Sequence, residues 1–150
     1  MTDRLEAIEL LVPPSLEADH EHRVAIFDLL EENSFSLAEG PPGPYRLRLG
    51  LQDQVLAFEV DPPSGGTKDI RISLGPLAQV AKDYGSLCES YEAAVRSLPP
   101  AQIEALDTAR RDLHDEAARQ LRDRLGDRIV MDGRTAKRLF TLVCVMERSG

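Results

Sequence analysis

The chain is poor in cysteine: Cys88 and Cys144 are the only two, and no C-x-x-C pair exists. That spacing excludes a zinc-ribbon type of site and gives no basis for a disulfide framework. Both cysteines sit inside apolar helical patterns and read as reduced core thiols. There is no excess of basic charge. The net charge is −8, and phosphate recognition needs a basic footprint, so nucleic acid is not an expected partner. Long apolar runs are missing too. The longest, Leu142–Met146, is far too short to cross a bilayer, so no membrane partner is expected. The opening MTDRLEAIEL has no basic stretch followed by an apolar core, which leaves the cytoplasm as the expected location. Internal repeats and low-complexity tracts are absent. So are a Ser/His/Asp order, a paired-carboxylate motif and an EF-hand loop.

What is present is the composition of an ordinary globular chain, 42% hydrophobic and 29% charged over 150 residues. That length suits one domain, residues 1–150, with enough chain to bury a core without staples. The charge is uneven. Residues 1–33 carry nine acids and two bases, residues 34–125 fourteen and eleven, and residues 126–150 three and five. An acidic start and a basic end can attract each other within one chain or between chains.

The most informative stretch is Pro100–Leu125. Ile103, Leu106, Leu113, Ala117, Leu121 and Leu125 recur at helical spacing and define one face of a long helix. Arg110 falls near the middle of that apolar stripe, with Asp107 three residues before it and His114 four after. A guanidinium turned toward a core needs a partner or a path to water.

The remaining chain reads in order. Leu5–Val12 is a strand, ended by Pro13-Pro14. Glu17–Asn33 is a helix with Asp19 as N-cap and Asn33 as its stop. Its last acids, Glu31 and Glu32, sit unfavourably against the helix dipole. Ser34–Pro44 is a turn-rich connection. Tyr45–Leu51 and Val55–Val60 are strands joined by a turn at Gln52-Asp53. Asp61–Thr67 is a loop, and Ile70–Leu74 a third strand, which predicts an antiparallel meander. Leu77–Leu98 is a helix of steady 3-and-4 spacing, closed by Pro99-Pro100, so it packs antiparallel against the helix that follows. Gly126 stops that helix. Ile129–Met131 is a short strand or an extended link. Asp132 caps a last helix that is apolar almost all round from Leu139 to Met146, a pattern expected of a helix buried on most sides or covered by another subunit. Strands followed by helices predict an α+β fold, a small antiparallel sheet of about four strands with about four helices on one face.

Six segments, taken together, resemble a known family. They are HEHRVAIFDLLEENSF (His20–Phe35), GPYRLRLGL (Gly43–Leu51), KDY (Lys82–Tyr84), CESY (Cys88–Tyr91), IEALDTARRDLHDE (Ile103–Glu116) and RLFTLVCV (Arg138–Val145). In this order they are similar to uncharacterised protein family 0262, small bacterial proteins found mainly in alphaproteobacteria. The resemblance covers nearly the whole chain. It implies no activity and transfers no catalytic residue.

Four constellations carry chemistry. Asp107 reaches Arg110 at i+3 and Arg111 at i+4, and Arg110 reaches His114 at i+4. They read either as a site for an anionic ligand, with Arg110 as the fork and His114 as its titratable neighbour, or as a structural lock. In the second reading, which is favoured, Glu89 or Glu92 of the preceding helix supplies the acid for Arg110. His20, His22 and His114 form a weak three-histidine zinc candidate; a solvated first helical turn explains the first two better. Tyr84, Cys88 and Tyr91 form an aromatic stripe that reads as core, and the acids beside Cys88 oppose a reactive thiolate. Ser64–Thr67 is glycine-rich but lacks the strand–loop–helix context and lysine of a phosphate cradle, so it reads as a hairpin tip. No cofactor is expected. The leading expectation is a non-enzymatic protein that associates with itself or another protein. The alternative is a binder of, or enzyme for, an anionic small molecule using Arg110 and His114.

Overall fold

The structure, a computed structural model, describes residues 2–149. Ten elements follow one another: β1 (Leu5–Leu10), α1 (Asp19–Glu31), β2 (Phe35–Leu37), β3 (Tyr45–Gln52), β4 (Val55–Asp61), β5 (Lys68–Ser73), α2 (Pro76–Ser97), α3 (Pro100–Leu125), β6 (Ile129–Met131) and α4 (Gly133–Ser149). The architecture is α+β. The main sheet runs β1-β3-β4-β5, and β2 and β6 form a separate antiparallel pair.

The meander β3-β4-β5 is antiparallel throughout, as the short links between its strands predict. The sheet as a whole is mixed, because β1 pairs parallel with β3. The physical reason is the connection. Parallel neighbours need a long crossover, and α1 supplies it. The tight turn between β3 and β4 falls one residue later than its polar signal suggests. Asp53 and Gln54 both adopt positive φ, 52° and 62°, the primed hairpin conformation that matches strand twist.

Alternation sorts the meander's side chains. Tyr45, Leu47, Leu49, Leu56, Phe58 and Val60 are buried beneath the helices. Arg46, Arg48, Glu59 and Asp61 stand on the other face, where Arg48 bonds Glu59 at 3.0 Å and Asp61 at 2.7 Å. The Thr67 hydroxyl donates to Asp61 at 2.6 Å. That bond, and then Arg48, hold the Asp61 carboxyl below the usual carboxylate range. Along the far side of β5, Arg124 donates to the Ser73 carbonyl at 2.8 Å and Arg128 to the Arg71 carbonyl at 3.3 Å. Gly75, with φ at 53°, makes room for this: a Cβ there would sit 2.6 Å from Arg124 Nη2.

α4 is the central helix. Leu139, Phe140, Leu142, Val143 and Val145 are at most 1% exposed, and the helix packs on α1, α2, α3 and β3. Its all-round apolarity is therefore answered within the chain, and no second subunit is needed to cover it. Its start follows the sequence closely, since the Asp132 carboxylate accepts the Thr135 N–H at 2.8 Å. The acidic start and basic end also meet within the chain. Glu21 pairs with Arg148, and Glu32 with Arg134 at 2.8 Å, so α1 and α4 run antiparallel. Arg134 relieves the dipole mismatch at the end of α1.

Two further readings need correction. Asp19 does not cap α1; Ala18 occupies that position without a side-chain bond, and Asp19 pairs with Arg23 at 3.0 Å. The connection after α1 contains a strand, β2, whose Phe35 and Leu37 are buried against β6. Asn33 does more than stop α1. Its amide accepts the Leu5 N–H at 2.7 Å and donates to the carbonyls of Leu5 at 3.0 Å and Leu29 at 2.8 Å. These three bonds, about 1 kcal/mol each in net terms, tie the end of α1 to the start of β1.

Candidate functional site

α2 and α3 form a long antiparallel hairpin around Pro99. At 22 and 26 residues they extend about 33 and 39 Å at 1.5 Å per residue. The core does not follow them to the tip. Within α2 it takes in Leu77, Ala78 and Ala81, with Val80 and Tyr84 packed against it; within α3, Ala117, Ala118, Leu121 and Leu125.

Arg110 lies beyond that core, on the hairpin. Its Nε bonds Asp107 at 2.9 Å, and its guanidinium carbon stands 4.1 Å above the centre of the Tyr91 ring on α2. Burial is the largest single influence and pulls the Arg110 pKa down, but the hydrogen bonds it donates to Asp107 and to Cys88, with the charges of both, together outweigh it, so the net shift is upward. Asp107 also accepts Arg111 at 3.2 Å. The acid that satisfies Arg110 thus comes from its own helix. Glu89 and Glu92 are exposed on α2 and form no ion pair among the described residues. What crosses the hairpin is the cation–π contact with Tyr91, worth about 0.5–2 kcal/mol. Sequence reasoning placed Tyr91 in the core stripe and missed this role.

His114 faces a different neighbourhood. Its ring meets Tyr84 and Phe140 edge to face, with centroids 5.0 and 5.1 Å away. Its Nε2 is 2.9 Å from Thr141 Oγ1, whose own proton goes to the Lys137 carbonyl at 3.2 Å. The hydroxyl therefore accepts from the ring, which puts the proton of the neutral imidazole on Nε2 and leaves Nδ1 bare. Burial lowers the His114 pKa and keeps the ring neutral near pH 7. Burial likewise raises the Tyr84 phenol and the Cys144 thiol well above their ordinary values, so neither is a nucleophile at neutral pH.

Arg110 and His114 consequently do not share a cavity. His114 lines an open groove of about 360 Å³ between α1, α3 and α4, with Glu21, Asp28, Lys137, Arg138 and Thr141 on its polar walls. Arg110 and Asp107 are not among the residues that line it. Lys137 is paired with Asp115 at 3.2 Å. Arg138 has no ion pair among the described residues, and its Nε is buried without an acceptor. Such an orphaned donor costs about 1–3 kcal/mol. The sequence signal for Arg138 was a charge placed next to the apolar run of α4.

The histidines are not assembled for metal. His20 is exposed, and both ring nitrogens of His22 are buried without hydrogen-bond partners. No group of three or more His, Cys, Asp or Glu among the described residues is placed to hold an ion. The Ser64–Thr67 loop is a hairpin tip, with Gly65 and Gly66 at positive φ. No helix among the described residues is long and apolar enough to cross a membrane.

Comparison with known proteins gives a consistent answer across the chain's length. The UPF0262 protein of Dinoroseobacter shibae is 49% identical over 142 residues, covering 91% of this chain and 89% of that protein. The UPF0262 protein of Paracoccus denitrificans is 50% identical over 142 residues, covering 91% and 88%. A third relative, from Ruegeria sp. (strain TM1040), is 47% identical over 158 residues and aligns over 98% of this chain and 99% of its own. No solved structure matches. The family model for an uncharacterised protein family, UPF0262, matches residues 3–149, and the chain belongs to that family.

Proposed function

We propose that the protein acts by association rather than catalysis, and that the outer half of the α2–α3 hairpin joins a second copy of itself. One observation carries the reading: this half of the hairpin lies outside the hydrophobic core yet keeps an apolar stripe. Val95 is 53% and Leu98 42% exposed, and Leu87, Ile103, Leu106 and Leu113 are only half-buried. Two helices cover at most one side of each other. A second helical pair completes the layer as a four-helix bundle. A two-fold pairing of identical hairpins, the commonest closed symmetry, supplies that second pair from another copy of the chain.

Light scattering on the purified protein tests this. The expected result is a dimer mass that falls to the monomer in Val95→Asp/Leu98→Asp, with circular dichroism unchanged because both residues are exposed on the single chain and melting lowered only by the lost association. A monomer at the highest soluble concentration, or a dimer unaffected by the double substitution, overturns the reading.

A further inference from the structure

The groove between α1, α3 and α4 holds two opposite charges that do not meet. Asp28 stands on the α1 wall and Arg138 on the α4 wall. Neither forms an ion pair among the described residues, although the acids and bases around them do: Glu21 with Arg148, Glu32 with Arg134 and Asp115 with Lys137. The Arg138 Nε–H, without an acceptor, is enclosed and does not open to the groove, so the rest of the guanidinium is what a ligand can reach. The same α1 wall is also lined by Val24 and Ala25, one turn before Asp28. On the α3 side stands the His114 ring.

We propose that this groove binds a small zwitterion of the α-amino acid class. Arg138 takes the carboxylate, as the fork geometry of a guanidinium favours, and Asp28 takes the ammonium. The apolar part of the ligand lies along Val24 and Ala25. A volume of about 360 Å³ falls in the range of small-molecule sites, and a few convergent polar groups beside an apolar wall are their usual lining. A simple anion would leave Asp28 unanswered and close to its own charge. A simple cation would meet Arg138 in the same way. Only a molecule with both charges answers both walls. This inference is independent of the hairpin association, because none of the groove's residues belongs to residues 85–113.

The test is an NMR titration of the intact ¹⁵N-labelled protein with each common L-α-amino acid at millimolar concentration. Any that binds is then compared with its N-acetyl form, which lacks the ammonium, and its carboxamide, which lacks the carboxylate. At least one amino acid should shift the amide signals of Val24, Ala25 and Thr141, and both blocked forms should bind roughly tenfold weaker or worse, the effect of losing one charge-assisted contact. Arg138→Gln and Asp28→Asn should each weaken the intact amino acid by a similar factor, with unchanged melting. Absence of binding by every amino acid overturns the proposal. So does an N-acetyl form that binds as well as its parent, which would mark a plain anion site. The blocked ligands test the wild-type protein directly, so the outcome does not depend on either variant folding.

Discussion

The sheet end of the molecule and the outer half of its helical hairpin are built from the same kinds of residue and held by different forces. At the sheet end, α4 is sheathed by three helices and a strand, and leucine and phenylalanine side chains are buried almost completely. In the outer hairpin the apolar side chains meet only across one helix pair, and the named polar contacts, Arg110 with Asp107 and Tyr91, are local to it. Apolar content alone does not make a core; a third layer does. The hairpin is the low-stability end of the molecule and the sheet end its high-stability end.

Substitutions that separate the two regions should differ in size. The largest effect belongs to Phe140→Ala. The ring is fully buried between Tyr84 and His114, and its loss should lower global stability by about 3–5 kcal/mol in urea melts. Arg110→Met should cost only about 1 kcal/mol globally, because it removes an ion pair and a cation–π contact that lie outside the core. Hydrogen exchange should show the opening confined to residues 85–113. A cooperative loss of protection in the sheet as well would mean that the two regions are one stability unit.

The smallest effect concerns pH. His114 has a folded pKa below its unfolded value near 6.5, because burial disfavours the cation. The unfolded state therefore binds the proton first. The contribution is fully present above pH 6.5 and is lost as pH falls from there through the folded pKa. His114→Gln should flatten stability between pH 7 and 5.5, above the range where carboxylates titrate. A slope that survives the substitution would place its origin in another group.

Much of this arrangement was legible in the residues. The bounds of α3, the three-stranded meander, the cap at Asp132 and the hairpin at Pro99-Pro100 follow from spacing and turn chemistry, which are local properties. What escaped depends on non-local pairing. The partner of a strand cannot be read from its own alternation, so the parallel pairing of β1 was invisible. β2 is three residues long, too short for a period-2 signal, and is a strand only because β6 lies beside it. Arg110 was correctly singled out as an anomaly, but its acid was sought on the facing helix when Asp107 was already within one turn. The groove around His114 needs residues from α1, α3 and α4, whose order in space no spacing rule supplies. Asp28 and Arg138 were visible only as one acid and one base among many.

The two arginines along β5 carry a consequence for what the protein can become. An outer strand with bare carbonyls is a template onto which another chain can add, the first step toward sheet-to-sheet aggregation. Arg124 and Arg128 occupy the carbonyls of Ser73 and Arg71, and a guanidinium stays charged at every pH a cell meets. This guard does not titrate away. Two carbonyls of the β5 edge are thus already engaged within the monomer, which hinders addition of another strand there.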